Sequence, residues 1–382
     1  MGLSMTSLES LQFQKRMIES PIGEADRAAL VAGGEFGQVF TEHMVTVRWN
    51  EQRGWHDGLV EPFGPLRLSP AAAVFHYGQE IFEGMKAFRA ADGGINLFRV
   101  ERNAERFAAS ARRLAMAEVP AELFRRAVEE LVSSDAAWVA DHPEGTLYLR
   151  PFQIATEPTL GMQPAAAYLF GVIASPVVVN RREAPPMRIL ISDDHVRAVR
   201  GGTGDVKCGG NYAASMPALG RAAEVGCDQV LFLDAAERRF VEELGGMNVF
   251  VVYDNGSVCT PPLTGTILPG VTRDSIMRLA ADRGARLVER PIEIDELQEA
   301  ARAGRVTEMF ACGTVAVVRG IGSLHGRHGE VVIGDGGTGD LTARLRQELL
   351  DIQHGRTPDR HGWISGISDA RSRRSEVLEV AG

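Results

Sequence analysis

The sequence predicts two mixed α/β domains, on three observations. The chain has 382 residues, more than one ordinary hydrophobic core organises. Near its middle, the polar run Asn180-Arg181-Arg182-Glu183-Ala184-Pro185-Pro186 ends in two prolines and reads as a linker, because proline bars helix from the residue before it. Around this run, segments of helical spacing are mixed with short β-rich apolar ones. The expected division is a smaller N-terminal domain over 1–179, a linker over 180–186 and a larger C-terminal domain over 187–382.

Residues 104–116 place Phe107, Ala111 and Leu114 on one helical face, and residues 121–139 do the same with Leu123, Ala127 and Leu131. Ala165 to Val179 is short and nearly all apolar, which predicts a buried strand. Past the linker, Met187 to Ser192, Gln229 to Leu233 and Asn248 to Tyr253 predict strands. Helices are expected at 212–224, 272–283, 295–303 and 341–353, with Gly284, Gly304 and Gly355 where a helix end takes glycine. Residues 367–382 are polar and expected to fray.

At 45% hydrophobic and 24% charged, the composition excludes wholesale disorder. The net charge is -9 and there is no basic stripe, which argues against nucleic acid as a partner. The apolar stretch at 165–179 is interrupted by Ser175 and Pro176 and too short to span a bilayer. Four cysteines, Cys208, Cys227, Cys259 and Cys312, form no CxxC pair, consistent with a reducing cytosol and no cysteine zinc site. Gly2 and Thr6 match a loose myristoylation pattern that chance explains. Glu9 and Glu19 argue against a leader, and the Asn255-Gly256-Ser257 sequon matters only in a secreted chain. The expectation is a soluble cytoplasmic protein.

Three stretches could carry chemistry. Lysine is rare, with Lys15, Lys86 and Lys207 the whole set, and Lys207 lies in Gly201-Gly202-Thr203-Gly204-Asp205-Val206-Lys207-Cys208-Gly209-Gly210. Arginine cannot replace a lysine that must lose a proton and attack a carbonyl, and small neighbours let a planar ligand approach the backbone. The alternative is a surface lysine in a turn. Leu268-Pro269-Gly270-Val271-Thr272-Arg273-Asp274 opens a helix whose first N–H groups can bind phosphate, and Cys312-Gly313-Thr314-Val315 offers a second small turn; ordinary turns are the alternative for both. Glu242-Glu243-Leu244-Gly245-Gly246-Met247-Asn248 precedes an apolar strand, so one glutamate could point inward, or both could be solvated. There is no HExxH or GxSxG, and the glycine-rich stretch at 201–210 lacks dinucleotide-binding spacing.

Together these motifs resemble one family. Gly204-Asp205-Val206-Lys207-Cys208-Gly209-Gly210-Asn211-Tyr212, Glu243-Leu244-Gly245-Gly246-Met247-Asn248 and Gly265-Thr266-Ile267-Leu268-Pro269-Gly270-Val271-Thr272-Arg273 are similar to the cofactor motifs of branched-chain amino-acid aminotransferases, fold-type IV pyridoxal-phosphate enzymes. Phe36 to Met44, Phe82 to Phe88, Leu97-Phe98-Arg99 and Leu147 to Pro151 resemble the family too, and the similarity runs from about Phe36 to Trp363. The resemblance implies that Lys207 carries pyridoxal 5'-phosphate covalently and shuttles the substrate proton. It implies that Glu243 faces the pyridine nitrogen, that Tyr212 bonds the cofactor's ring oxygen, and that Arg99, Val271, Thr272 and Thr314 hold the phosphate. It places the cofactor at the domain interface.

By the same resemblance, Phe36, Phe82, Tyr148 and Val315 line an apolar substrate pocket, with Tyr77, Leu160 and Met162 arriving from the second subunit of a homodimer. Arg150 would orient Tyr77 or meet the distal carboxylate of glutamate; a structural salt bridge is the alternative. The implied reaction is transamination of leucine, isoleucine and valine with 2-oxoglutarate. Two departures stand out. Gly246 replaces a threonine that helps grip the α-carboxylate in some members, and the redox CxxC of mammalian members is absent after Thr314. The same family holds D-amino-acid aminotransferases and aminodeoxychorismate lyases, which are generally shorter. Rivals from other classes are a non-catalytic ligand-binding protein and a phosphosugar or nucleotide enzyme that uses the anion sites.

Overall fold

The structure is a computed structural model that describes residues 11–33, 35–140, 142, 145–178 and 185–367. The chain divides into two units, Met1–Asn180 with Ile352–Gly382, and Arg181–Asp351. The expected division therefore differs at the C-terminal end: the last segment belongs to the first unit, which becomes the longer of the two. The cause is a strand at Ile364–Ile367 that pairs antiparallel with Ile95–Phe98. Of the expected linker, residues 180–184 lie outside the described residues, as do Met1 to Thr6 and residues 368–382.

The first unit is built on a nine-stranded sheet. From one edge its order is Gln14–Lys15, Gly54–Pro62, His43–Asn50, Ala167–Val178, Gly145–Ala155, Met85–Arg89, Ile95–Phe98 and Ile364–Ile367, with Glu80–Phe82 joined to Gly145–Ala155. All pairings but the first are antiparallel; some join neighbours in sequence through short connections, such as His43–Asn50 with Gly54–Pro62, and others join distant segments, such as His43–Asn50 with Ala167–Val178. The expected helices form as Val100–Arg113 and Ala121–Ser134, and their apolar stripes bury Phe107 and Ala111, then Leu123, Ala127 and Leu131. The second helix stops short of residue 139 because Asp135 leaves helical geometry and a 3₁₀ turn at Ala136–Trp138 follows.

Phe170 sits at the centre of this core. It is fully buried, with ring centroids 5.6 Å from Phe107, 6.0 Å from Phe124 and 6.2 Å from Trp55. Phe170→Leu keeps apolar volume and loses those ring contacts, so denaturant unfolding should report a loss on the order of 1–2 kcal/mol. An unchanged midpoint would remove Phe170 from the core's energetics.

The second unit has its own nine-stranded sheet, ordered Val241–Leu244, Gln229–Leu233, Met187–Ile191, Val317–Gly326, Val306–Gly313, Asn248–Tyr253, Ser257–Thr260 and Arg286–Glu289, with Gly329–Val332 added to Val317–Gly326. Its helices are Gly209–Glu224, Val271–Asp282, Ile294–Arg302 and Asp340–Gln353, each within three residues of its expected start. The first begins earlier than expected because Cys208, in an extended conformation, caps a helix whose opening residues are glycines. Gly284, Gly304 and Gly355 have φ of 76°, 70° and 65°, the left-handed geometry expected at helix ends.

Candidate active site

In the second unit, Lys207 lies just before the Gly209–Glu224 helix, and the loop leading to it is clasped by one side chain. Asn211, buried in the first turn of that helix, donates to the carbonyls of Thr203 (2.7 Å) and Val206 (2.8 Å) and accepts from the Thr203 hydroxyl (2.8 Å). The loop thus cannot drift, and Lys207 Nζ is placed 2.6 Å from the Tyr212 hydroxyl, to which it donates. A lysine amine five residues from a phenol is the arrangement of a positioned base.

Glu243 ends up almost wholly buried, at 3% exposure, on the strand Val241–Leu244. One carboxylate oxygen accepts from the Leu268 N–H at 2.9 Å and lies 2.5 Å from the Arg197 guanidinium; the other accepts from Asn248 Nδ2 at 3.1 Å. Burial pushes the carboxyl up, Arg197 and the Leu268 N–H pull it back, and the balance leaves it at about 7. Its neighbour Glu242 is also buried and is raised for the same first reason, so neither glutamate is solvated.

Arg197 is absent from the residues expected from sequence. Besides Glu243, it donates to the carbonyls of Gly204 (2.7 Å) and Thr266 (2.5 Å), so it ties the lysine loop to the segment before the Val271–Asp282 helix. The two backbones come so close that a Cβ on Gly204 would stand 2.5 Å from the Thr266 carbonyl oxygen, which demands glycine there. In Val196-Arg197-Ala198-Val199-Arg200 nothing in residue type separates the buried Arg197 from the exposed Arg200; only the fold does.

Asn248 makes the next connection. It donates to the Leu268 carbonyl at 3.0 Å as well as to Glu243, and a Cβ on Gly270 would lie 2.0 Å from its Oδ1. The start of the Val271–Asp282 helix, with Val271 and Thr272, is therefore held against the carboxylate's own partner. Asn248 also pairs with Cys312, and a Cβ on Gly313 would be 3.4 Å from the Gly246 carbonyl oxygen, which sets the Thr314-Val315 turn beside the Gly245-Gly246 segment. The turn closes through Val317 at φ 59°, a strained value for a β-branched residue. Gly246 faces Tyr212: its Cβ would be 3.8 Å from the ring. Lys207, Tyr212, Glu243, Gly246, Val271, Thr272, Thr314 and Val315 thus belong to one connected network within the second unit.

That donor set fits pyridoxal phosphate. An amine suits an aldehyde, a buried carboxylate suits a ring N–H, and a helix of 12 residues opening after Gly270 presents N–H groups to a phosphate. The glycine at 246 leaves a side-chain-free face on which a planar ring can lie.

The first unit groups the aromatic residues. Phe36 meets Tyr148 edge-on at 5.0 Å, and the Arg150 guanidinium lies 4.7 Å from the Phe82 ring centroid while donating to the Tyr148 hydroxyl at 3.0 Å. Within the first unit, Tyr148 is a hydrogen-bond partner of Arg150. Tyr148 needs Gly84, since a Cβ there would be 2.2 Å from its hydroxyl. The corner before Gly84 is pinned by a buried two-point ion pair, Glu83 to Arg106 at 2.7 and 2.8 Å. Tyr77 donates to the Leu160 carbonyl, and Tyr77, Leu160 and Met162 are 43%, 68% and 87% exposed. Arg99 caps the Val100–Arg113 helix in left-handed geometry and is 5% exposed.

Among the described residues no helix is long and apolar enough to cross a membrane, and no group of three or more His, Cys, Asp or Glu is placed to hold a metal ion. The amino-transferase class IV family model matches residues 80–324. A probable branched-chain-amino-acid aminotransferase of Streptomyces coelicolor is 51% identical over 91% of this chain and 96% of its own length. The branched-chain-amino-acid aminotransferase of Mycolicibacterium smegmatis is 47% identical over 94% and 99%. In structure, a T.th. branched-chain amino acid aminotransferase complexed with N-(5'-phosphopyridoxyl)-L-glutamate superposes with a TM-score of 0.69 at 28% identity, covering 84% of this chain and 98% of that one.

Proposed function

We infer the reaction from one premise: the chain belongs to the amino-transferase class IV family. It is a pyridoxal-phosphate-dependent branched-chain-amino-acid aminotransferase, a fold-type IV enzyme. The observation that carries the reading is the Lys207–Tyr212 pair in one network with the buried Glu243 and the opening of the Val271–Asp282 helix.

Pyridoxal phosphate, when bound, supplies the electron sink for the charge left when an amino acid loses its α-proton. Lys207 Nζ takes that proton and returns it, and the Tyr212 hydroxyl keeps Nζ in line. Glu243 holds a proton at the ring nitrogen, with Arg197 and Asn248 fixing the carboxylate that does so. Val271 and Thr272 bind the phosphate with their main-chain N–H groups, Thr314 with its hydroxyl, and Arg99 with its guanidinium. The main chain near Thr314 and Val315 receives the α-carboxylate, and Gly246 contributes no hydroxyl to that task.

Phe36, Phe82 and Tyr148 form an apolar wall, with Arg150 holding the Tyr148 hydroxyl. Such a wall separates leucine, isoleucine and valine poorly, a methylene being worth about 1–3 kcal/mol, so all three are substrates and 2-oxoglutarate is the shared acceptor. Exposed Tyr77, Leu160 and Met162 support a homodimer in which they enter the partner's pocket. The buried, unpaired state of Cys208, Cys227, Cys259 and Cys312 supports a cytoplasmic location.

The test is the absorption of the purified protein. L-leucine alone should bleach the cofactor's colour and 2-oxoglutarate should restore it. Bleaching only by D-alanine, or pyruvate release from aminodeoxychorismate, would move the chain to another branch of the family. Colour with no response to any amino donor would make it a binding protein.

Arg197 provides a second check. Glu243 titrates at about 7, so more of it is ionised as pH rises through that value, and cofactor uptake by the cofactor-free protein should strengthen over the same interval. Arg197→Met removes the cation that favours the ionised form, and the midpoint should move to higher pH. A spectral titration at several pH values measures it; an unmoved midpoint would separate Arg197 from Glu243.

A further inference from the structure

Among the described residues, Arg99 is one of five other than glycine with positive φ, at 52°, and it is a long side chain in a conformation that L-residues avoid. Such a conformation persists only where the surroundings enforce it. On one side, the Arg99 carbonyl accepts from the N–H groups of Arg102 (3.0 Å) and Asn103 (3.3 Å) and from Asn103 Nδ2 (3.1 Å) as the helix begins. On the other, the Arg99 N–H donates to the Trp363 carbonyl at 2.7 Å. The side chain turns to the same residue: the guanidinium carbon lies 5.0 Å from the centroid of the Trp363 ring.

Trp363 is itself well held. It is 5% exposed, meets Phe98 edge-on at 5.6 Å, and stacks with His361 at 4.2 Å and 15°. The strand that follows it pairs Ile364 with Phe98, the residue before Arg99. Trp363 therefore contacts both the backbone N–H and the guanidinium of Arg99. Tryptophan is the strongest aromatic partner for a cation. Its ring also holds a guanidinium by the face without cancelling the charge, whereas anions are bound by N–H groups in the guanidinium plane.

We propose that Trp363 is a positioning residue for cofactor binding: it orients Arg99 toward the phosphate of pyridoxal phosphate. The proposal rests on the reading that Arg99 binds that phosphate, and the test separates the two. Full-length protein, reversibly freed of cofactor, is titrated with pyridoxal phosphate and with pyridoxal, which lacks the phosphate. Trp363→Leu should weaken pyridoxal phosphate by about 5- to 30-fold and leave pyridoxal within about twofold, the span expected for a partly desolvated cation–ring contact. Trp363→Phe, which keeps a ring of weaker field and guards against a misfolded leucine variant, should lose less and in the same ligand only. In an Arg99→Gln background, Trp363→Leu should add nothing further. Equal weakening of both ligands, or a full additional loss in that background, would make Trp363 a structural residue and overturn the proposal. If Arg99→Gln itself leaves the preference for the phosphorylated ligand intact, the premise falls, and the proposal with it.

Discussion

Lys207→Ala abolishes transamination, with kcat expected to fall by roughly 10⁴-fold or more, because the nucleophile and the proton carrier are one atom. The same variant should lose the covalent label: borohydride is expected to fix a phosphopyridoxyl group to Lys207 in the parent protein and to no residue in the variant. Lys207→Arg separates charge from chemistry. It keeps a cation near Tyr212, yet a guanidinium stays protonated and cannot attack a carbonyl, so it should be as inactive as alanine. Lys207 is half-buried in a loop just before its helix, so thermal melting of the cofactor-free variants should change little. Turnover within about tenfold of the parent would overturn the assignment, since general proton transfer alone is worth about 10²–10⁴-fold.

The second large effect belongs to Glu243. Glu243→Gln keeps the shape and can still accept from the Leu268 N–H, yet it carries no charge with which to hold a proton on the ring nitrogen. A loss of roughly 10²–10³ in kcat, about 2.7–4 kcal/mol of transition-state stabilisation, is the scale for removing one preorganised electrostatic contact. The pH dependence is the sharper readout. In the parent, the carboxyl at about 7 is protonated on the acid side, so cofactor affinity should fall as pH drops through that value. The glutamine variant has nothing to titrate there, and its profile should be flat across the same interval. A parent-like slope in the variant would assign the titration to another group. Asn248 is expected to reorient in this variant, because its amide would then face an amide instead of a carboxylate.

These residues differ in how openly the sequence declares them. The lysine loop is legible because close backbone approach restricts residue type: at Gly204 and Gly270 any side chain would collide with Thr266 or Asn248. The helices at Val271–Asp282 and Ile294–Arg302 are legible from periodicity, since each buries one stripe. Arg197 is not legible, because a buried arginine is defined by what surrounds it. Asn211 and Asn248 stand inside recognisable motifs, and their work as clasps between loop and helix emerges only when Val206 and Leu268 are seen beside them. The grouping of Phe36, Phe82 and Tyr148 follows from family resemblance alone; no local pattern links residues so far apart. The C-terminal boundary is hidden for a related reason: Ile364–Ile367 is a short strand whose partner, Ile95–Phe98, lies far back in the sequence.

That pairing has a consequence for how the molecule is made. A ribosome emits residues in order, so all of Arg181–Asp351 has been synthesised before the segment that completes the first unit leaves the tunnel. The second unit can finish folding while translation continues, whereas the first waits for its last edge strand, exposing the Ile95–Phe98 border in the meantime. The backbone of Arg99 acquires its bond to Trp363 only then. A nascent chain that stops short of Trp363 would hold a complete lysine loop in the second unit and a first-unit sheet that still lacks its last edge strand, with the Arg99 N–H not yet bonded.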